Sequence, residues 1–208
     1  MSPTDPAVAV PKKPMTVDEF WEFVHRPENE NRWFELRKGE VVEMPRPTRR
    51  HGAVTNNIGR ILGNYSFQVG RGYVVGNDSG VILEEDPGSV VGPDVAYFTD
   101  ATTFDEIHPK WGEEVPVLAV EVRSPNDKPN SLIAKVRDYL NNGVKLVWLA
   151  DYEDRTVSVF RPNQTPDVIT AGQEITGGEE LPGFTCRVDD FFRIPGDQST
   201  QQPQPPAA

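Results

Sequence analysis

The stretch Pro116-Val-Leu-Ala-Val-Glu121-Val-Arg-Ser124 decides how this chain is read. It reads as a buried β-strand, and Glu121 interrupts its apolar run. Alternation places Leu118, Val120 and Val122 on one face and Ala119, Glu121 and Arg123 on the other. An unpaired carboxylate in such a place costs several kcal/mol, so it is usually neutralised, paired or bound to a metal. The strand by itself leaves two accounts of Glu121 level: a metal-binding acid, or a salt bridge to Arg123 or another cation. A second acid, Asp94, opens a further short strand, Asp94-Val-Ala-Tyr-Phe98, directly after Gly92-Pro93.

The elements around these strands follow from local signals. Thr16 and Glu19 have capping-box spacing, and Val17, Phe20 and Val24 form an apolar stripe, which predicts a first helix from Thr16. A hairpin follows, with strands over 32–36 and 40–44 around a Lys38-Gly39 turn. A second helix is predicted over 48–69, with Val54, Ile58, Ile61, Leu62 and Tyr65 at helical spacing and Gly70 as its stop. Strands are expected at 73–76, 80–83 and 94–98, then a polar connection over 99–114. After the Glu121 strand, Asn130 is placed as the cap of a helix running to Asn142, with Leu132, Val136, Tyr139 and Leu140 inward and Gly143 ending it. A buried strand over 144–150 pairs with 156–160 across the turn 151–155, and short β segments with a turn at 188–192 close the chain. Helix, hairpin, helix, strands, helix, strands predicts an α/β or α+β fold, a sheet with helices on its faces.

Composition sets the limits. With 208 residues, a 37% hydrophobic share, four Trp, ten Phe and five Tyr, the chain has the makings of one medium-sized globular domain. Residues 1–14 and 196–208, rich in Pro, Ala, Ser and Gln, are expected to be flexible tails around a domain at 15–195. The first fourteen residues hold no continuous apolar segment of the secretory type, and no stretch has membrane-spanning length. The single cysteine, Cys186, has no internal disulfide partner, and no Cys/His spacing suggests zinc, so a reducing, cytoplasmic location is expected. A net charge of −11 argues against a protein that binds nucleic acid by charge alone. It leaves a nuclease open, because acids that hold divalent cations add to the same total. The basic residues gather in the first half: Arg46, Arg49 and Arg50, candidates for nucleic-acid contact, then Arg60 and Arg71.

Two acids and a lysine near strand edges are the parts of a metal-dependent phosphodiester-cleaving site. Such hydrolysis needs a divalent cation beside the phosphate, an in-line water, and positive charge to meet the developing negative charge. Mg²⁺ takes oxygen ligands, usually one or two carboxylates with waters and substrate phosphate. Asp94 and Glu121 on neighbouring strands are placed to supply them. Lys135 lies at the margin of its helix's apolar stripe, from which a lysine reaches over the sheet edge toward both acids. Taken alone, a surface lysine pairing with Asp138 accounts for it better.

At this point the residues carry a resemblance. Gly92-Pro93-Asp94-Val95, Ala119-Val-Glu121-Val-Arg-Ser-Pro125, Lys135 with Tyr139, Gly143-Val144 and Trp148-Leu-Ala-Asp151 resemble the Uma-type putative restriction endonuclease family of the PD-(D/E)xK nuclease superfamily. Trp33-Phe-Glu35-Leu-Arg-Lys-Gly39-Glu-Val and His51 extend the resemblance over roughly 16–192. It implies a restriction endonuclease-like mixed central sheet flanked by helices, with Asp94 and Glu121 as ligands of Mg²⁺ (or Mn²⁺) and DNA as substrate, RNA and a homodimer remaining open. The superfamily's lysine normally stands two residues after the second acid, where this chain has Arg123; in the Uma-type subgroup it is moved to the following helix, which points to Lys135. Glu35 is similar to the family's first-hairpin glutamate and is equally well read as an exposed strand residue. His51 is a candidate for proton transfer or phosphate contact, although capping or packing is the commoner role. Asp151 is at a family-like position but also where turns favour Asp.

The leading expectation is a Mg²⁺-dependent DNA endonuclease. Its rivals are a non-catalytic nucleic-acid-binding or regulatory module on the same fold, and an α/β protein in which Glu121 is structural.

Overall fold

The computed structural model describes residues 13–76, 79–125 and 127–197. Helix α1 (Val17–Val24) begins at Thr16, whose hydroxyl accepts from Glu19 N while the Glu19 carboxylate accepts from Thr16 N, a complete capping box. The hairpin β1 (Trp33–Arg37) and β2 (Glu40–Met44) turns on Lys38 and Gly39, both with positive φ. A Cβ on Gly39 would collide with Pro14, which seats the chain's approach to α1 against this turn. Helix α2 (Arg49–Val69) is capped by Thr48 and stopped by Gly70 in the left-handed region, as its sequence predicts.

Strands β3 (Tyr73–Gly76), β4 (Val81–Glu84), β5 (Ser89–Val91), β6 (Val95–Phe98) and β7 (Leu118–Arg123) follow. Helix α3 (Pro129–Asn141) then leads to β8 (Leu146–Asp151) and β9 (Thr156–Phe160), and β10 (Asp167–Thr170), β11 (Glu174–Thr176), β12 (Thr185–Arg187) and α4 (Asp189–Phe192) complete the order. Two details differ from the sequence reading. Strand β5 was not expected, since three residues between two Gly/Pro pairs carry no readable period. Helix α3 is not capped by Asn130: Pro129 takes its first position, where a fixed φ and a missing N–H cost nothing. The tails expected at the two ends lie outside the described residues, apart from residues 13–14 and 196–197.

Among the described residues the central sheet has the order β10-β9-β8-β7-β6-β3. It is mixed: β7 and β8 are parallel, joined by the α3 crossover, and the other neighbours are antiparallel. On one face Leu118, Val120 and Val122 join Trp148, Val95 and Tyr97 against Val54, Ile58 and Leu62 of α2. Ile58 and Leu62 are fully buried, each contributing about 1.5–3 kcal/mol over exposure. On the other face Ala119 and Val147 meet Val136 and Tyr139 of α3. A second sheet, β2-β1-β5-β4, joins the first through Gly92-Pro93 and carries Glu35 toward it. The α+β class and the helices flanking a mixed sheet agree with the sequence reading.

Candidate active site

The ladder between β6 and β7 pairs Val95 with Val120; Asp94 immediately precedes Val95 and Glu121 immediately follows Val120. Glu121 lies on the α3 face, as alternation predicts, and is 6% exposed.

Helix α3 delivers the cation. Lys135 is 7% exposed, not the surface partner of Asp138 that its position alone favours. Its Nζ lies 2.8 Å from Glu121 Oε1 and 2.8 Å from Glu35 Oε1, and donates to the Gly92 carbonyl at 3.1 Å. An ammonium has three donors, and these contacts use all of them. Tyr139, four residues on and so on the same helix face, donates its hydroxyl to Glu121 Oε1 at 2.7 Å. The sequence reading placed Tyr139 inward without a polar role; the i, i+4 spacing from Lys135 was the signal available.

Glu35 arrives from the second sheet and is 3% exposed, so the exposed-strand reading fails. Its Oε1 also accepts from Gly92 N, and its Oε2 accepts from Arg37 Nε and Nη2 at 2.8 and 2.6 Å. Asp94 Oδ2 accepts from Val122 N at 2.7 Å and stands 3.2 Å from His51 Nε2. The His51 ring thus faces Asp94, while its backbone N–H donates to the Thr48 cap. Arg123, at the superfamily's usual lysine position, does not pair with Glu121. It donates to Asp151 on the adjacent strand, and Asp151 Oδ1 also accepts from Glu153 N and Asp154 N, the local turn role.

The electrostatics are those of one cation shared between two glutamates. Burial pushes the Glu121 carboxyl up to about 7, helped by Asp94 and Glu35 and opposed by Lys135. Burial pulls Lys135 the other way, but Glu121 and Glu35 outweigh it and hold the ammonium well above its ordinary range. The two directions are compatible, because the lysine gains two anions while each glutamate gets a share of one cation. Glu35 is held low: burial would raise it, and Lys135 with Arg37 prevails. His51 is raised, since the hydrogen bond and charge of Asp94 outweigh the effect of burial.

Glu121 Oε2 and Asp94 Oδ1 have no hydrogen-bond partner among the described residues, and both side chains line an open cleft of about 640 Å³. No third His, Cys, Asp or Glu converges with them in a metal-binding cluster among the described residues. Two carboxylates with free oxygens fit Mg²⁺, which keeps waters and substrate oxygens in its remaining positions. The same cleft is lined by Lys128 and by Arg46, whose guanidinium stacks 4.6 Å over the Trp33 ring. Arg50 reaches Glu153 at 3.5 Å, and Arg49 is exposed at the start of α2. Among the described residues no helix is long and apolar enough to cross a membrane.

This architecture is shared with a solved protein. The crystal structure of a putative nuclease belonging to DUF820 from Anabaena variabilis superposes with a TM-score of 0.72 at 20% identity, over 86% of this chain and 98% of that one. No curated protein matches the chain. The family model described as "Uma2: Putative restriction endonuclease" matches residues 20–189. That span takes in Glu35, His51, Asp94, Glu121 and Lys135 together with the whole central sheet, and the chain belongs to the Uma2 family.

Proposed function

We propose that the protein is a cytoplasmic Mg²⁺-dependent endonuclease that hydrolyses phosphodiester bonds of DNA. The observation that carries this reading is that Asp94, Glu121 and Lys135, from three separate segments and all buried, line one open cleft, with Lys135 paired to Glu121. Asp94 and Glu121 hold the cation, Mn²⁺ serving in place of Mg²⁺. Bound there, the ion supplies positive charge to the scissile phosphate and makes a neighbouring water more acidic. Tyr139 and Lys135 hold Glu121 Oε1, and Val122 N holds Asp94 Oδ2, which leaves the other oxygen of each for the ion. Lys135 stabilises the phosphate by its charge, or orients the attacking water by giving up one of its three contacts, and Glu35 positions Lys135. The water loses one proton to solvent as its oxygen bonds to phosphorus, the bond to the leaving sugar oxygen breaks, and that oxygen takes up a proton from solvent, so that one water is consumed. His51, whose pKa the Asp94 hydrogen bond and charge raise against the effect of burial, sets Nε2 beside Asp94 at the rim of this site.

Calorimetric titration with Mg²⁺ and Mn²⁺, beside cleavage of plasmid and oligonucleotide DNA, tests the proposal. Wild type should bind the ion and cleave only with it, and Glu121→Ala should lose both. Lys135→Ala should keep metal binding and lose about two orders of magnitude in rate, the equivalent of roughly 3 kcal/mol. Arg123→Ala should matter much less. DNA binding without cleavage would leave a non-catalytic module, cleavage confined to RNA would change the substrate, and absence of both metal binding and cleavage would overturn the reading.

A further inference from the structure

Two cavities meet at the start of α2. The first is the cleft of the candidate site; the second, about 1190 Å³, runs along α2 and β3 and meets the first at Pro47 and His51, which line both. In a chain with 32 acidic residues, no Asp or Glu among the described residues lines this second groove. Besides His51 its charged side chains are Arg60 and Arg71, both exposed and neither in an ion pair among the described residues. Near its far end stands Phe67, 91% exposed.

The groove floor adds a second indication. Gly52, Gly59 and Gly63 lie within α2, where a Cβ on any of them would meet no atom within 4 Å. Packing within the chain therefore does not require glycine there, although each costs the helix about 0.5–1 kcal/mol relative to alanine.

We propose that this groove carries the DNA strand leading away from the scissile phosphate, with Arg60 and Arg71 on its phosphates and Phe67 stacked on a base. This rests on the nuclease reading above and names the path of its substrate. The charge of the groove suits a polyanion, and it opens directly into the site. From His51 to Phe67 the helix rises roughly 24 Å at about 1.5 Å per residue, the length of about seven nucleotides at about 3.4 Å each. An exposed aromatic ring suits base stacking, which tolerates any sequence.

The test is fluorescence anisotropy of full-length, metal-free protein with labelled DNA, single-stranded and duplex, across a series of salt concentrations. The double variant Arg60→Ala/Arg71→Ala should bind about tenfold more weakly near physiological salt. Its log K against log salt slope should shrink by roughly 1.4–1.8, the value of two phosphate contacts. Lys145→Ala, an exposed charge preceding β8, should leave both quantities unchanged and control for lost charge. Gly63→Leu should fill the groove, keep or raise Tm, and weaken binding. Wild type that binds DNA while the double variant keeps the same affinity and slope overturns the groove and leaves the nuclease reading standing. Arginine-dependent binding without metal-dependent cleavage supports the groove and removes the nuclease. Wild type that binds no DNA overturns the groove as well.

Discussion

Replacing Lys135 by Met tests the account of the site without requiring activity. Methionine keeps the length and apolar stem of lysine but removes the charge that lies 2.8 Å from both Glu35 and Glu121. Glu35 retains Arg37, whereas Glu121 keeps only the Tyr139 hydroxyl. Removing one partner of a buried ion pair typically costs about 3–5 kcal/mol, because the other charge is stranded. For a protein of this size, about 2–4 °C per kcal/mol converts that to a Tm fall of roughly 6–20 °C. The loss should depend on pH in a set direction. The folded-state pKa of Glu121 already lies above its ordinary value and rises further without the lysine. A group with a raised folded pKa contributes stability that is present below its unfolded pKa and lost as pH rises through the folded one. The deficit of Lys135→Met should therefore be largest near pH 8 and shrink toward about pH 5.5, as Glu121 takes up a proton. Chemical denaturation of metal-free protein at several pH values measures it, with Glu121→Gln added to complete a double-mutant cycle. A deficit below about 1 kcal/mol, or one that does not change with pH, would refute the buried, shared cation.

Glu121→Gln alone should stabilise the metal-free protein near pH 8 by about 1–3 kcal/mol, the gain fading as pH falls from about 7 toward 4.5, where wild type is itself protonated; denaturation curves across that range check it. Mg²⁺ at about a hundred times its Kd should raise wild-type stability by about 2.7 kcal/mol and leave Asp94→Ala unmoved in thermal melts. Tyr139→Phe should cost about 1.5–3 kcal/mol near pH 8, since it removes a buried hydrogen bond to a carboxylate, and equal stability of variant and wild type would count against that bond. Thr48→Ala should cost about 1 kcal/mol through the lost α2 cap, read from the same melts.

The features legible in the order of residues are those whose physics is local. The capping box at Thr16, the Lys38-Gly39 turn and the span of α2 depend on residues a few positions apart, and each forms where the spacing put it. Alternation along 118–123 likewise settled which face Glu121 would occupy. The Uma-type motifs then named the family and the acids to watch, and the family and the fold agree with the structure. Partners across the chain were another matter. Helical angle left Lys135 between solvent and core, and only the packing of α3 over Glu121 buried it. Glu35 meets that lysine 100 residues away through a second sheet, one strand of which is too short to announce itself. His51 and Tyr139 gained partners of the same kind, on segments that neither residue's neighbours predict. Periodicity reports which way a side chain faces; which charge it meets there is decided by loop closure and sheet order, and those are properties of the whole fold.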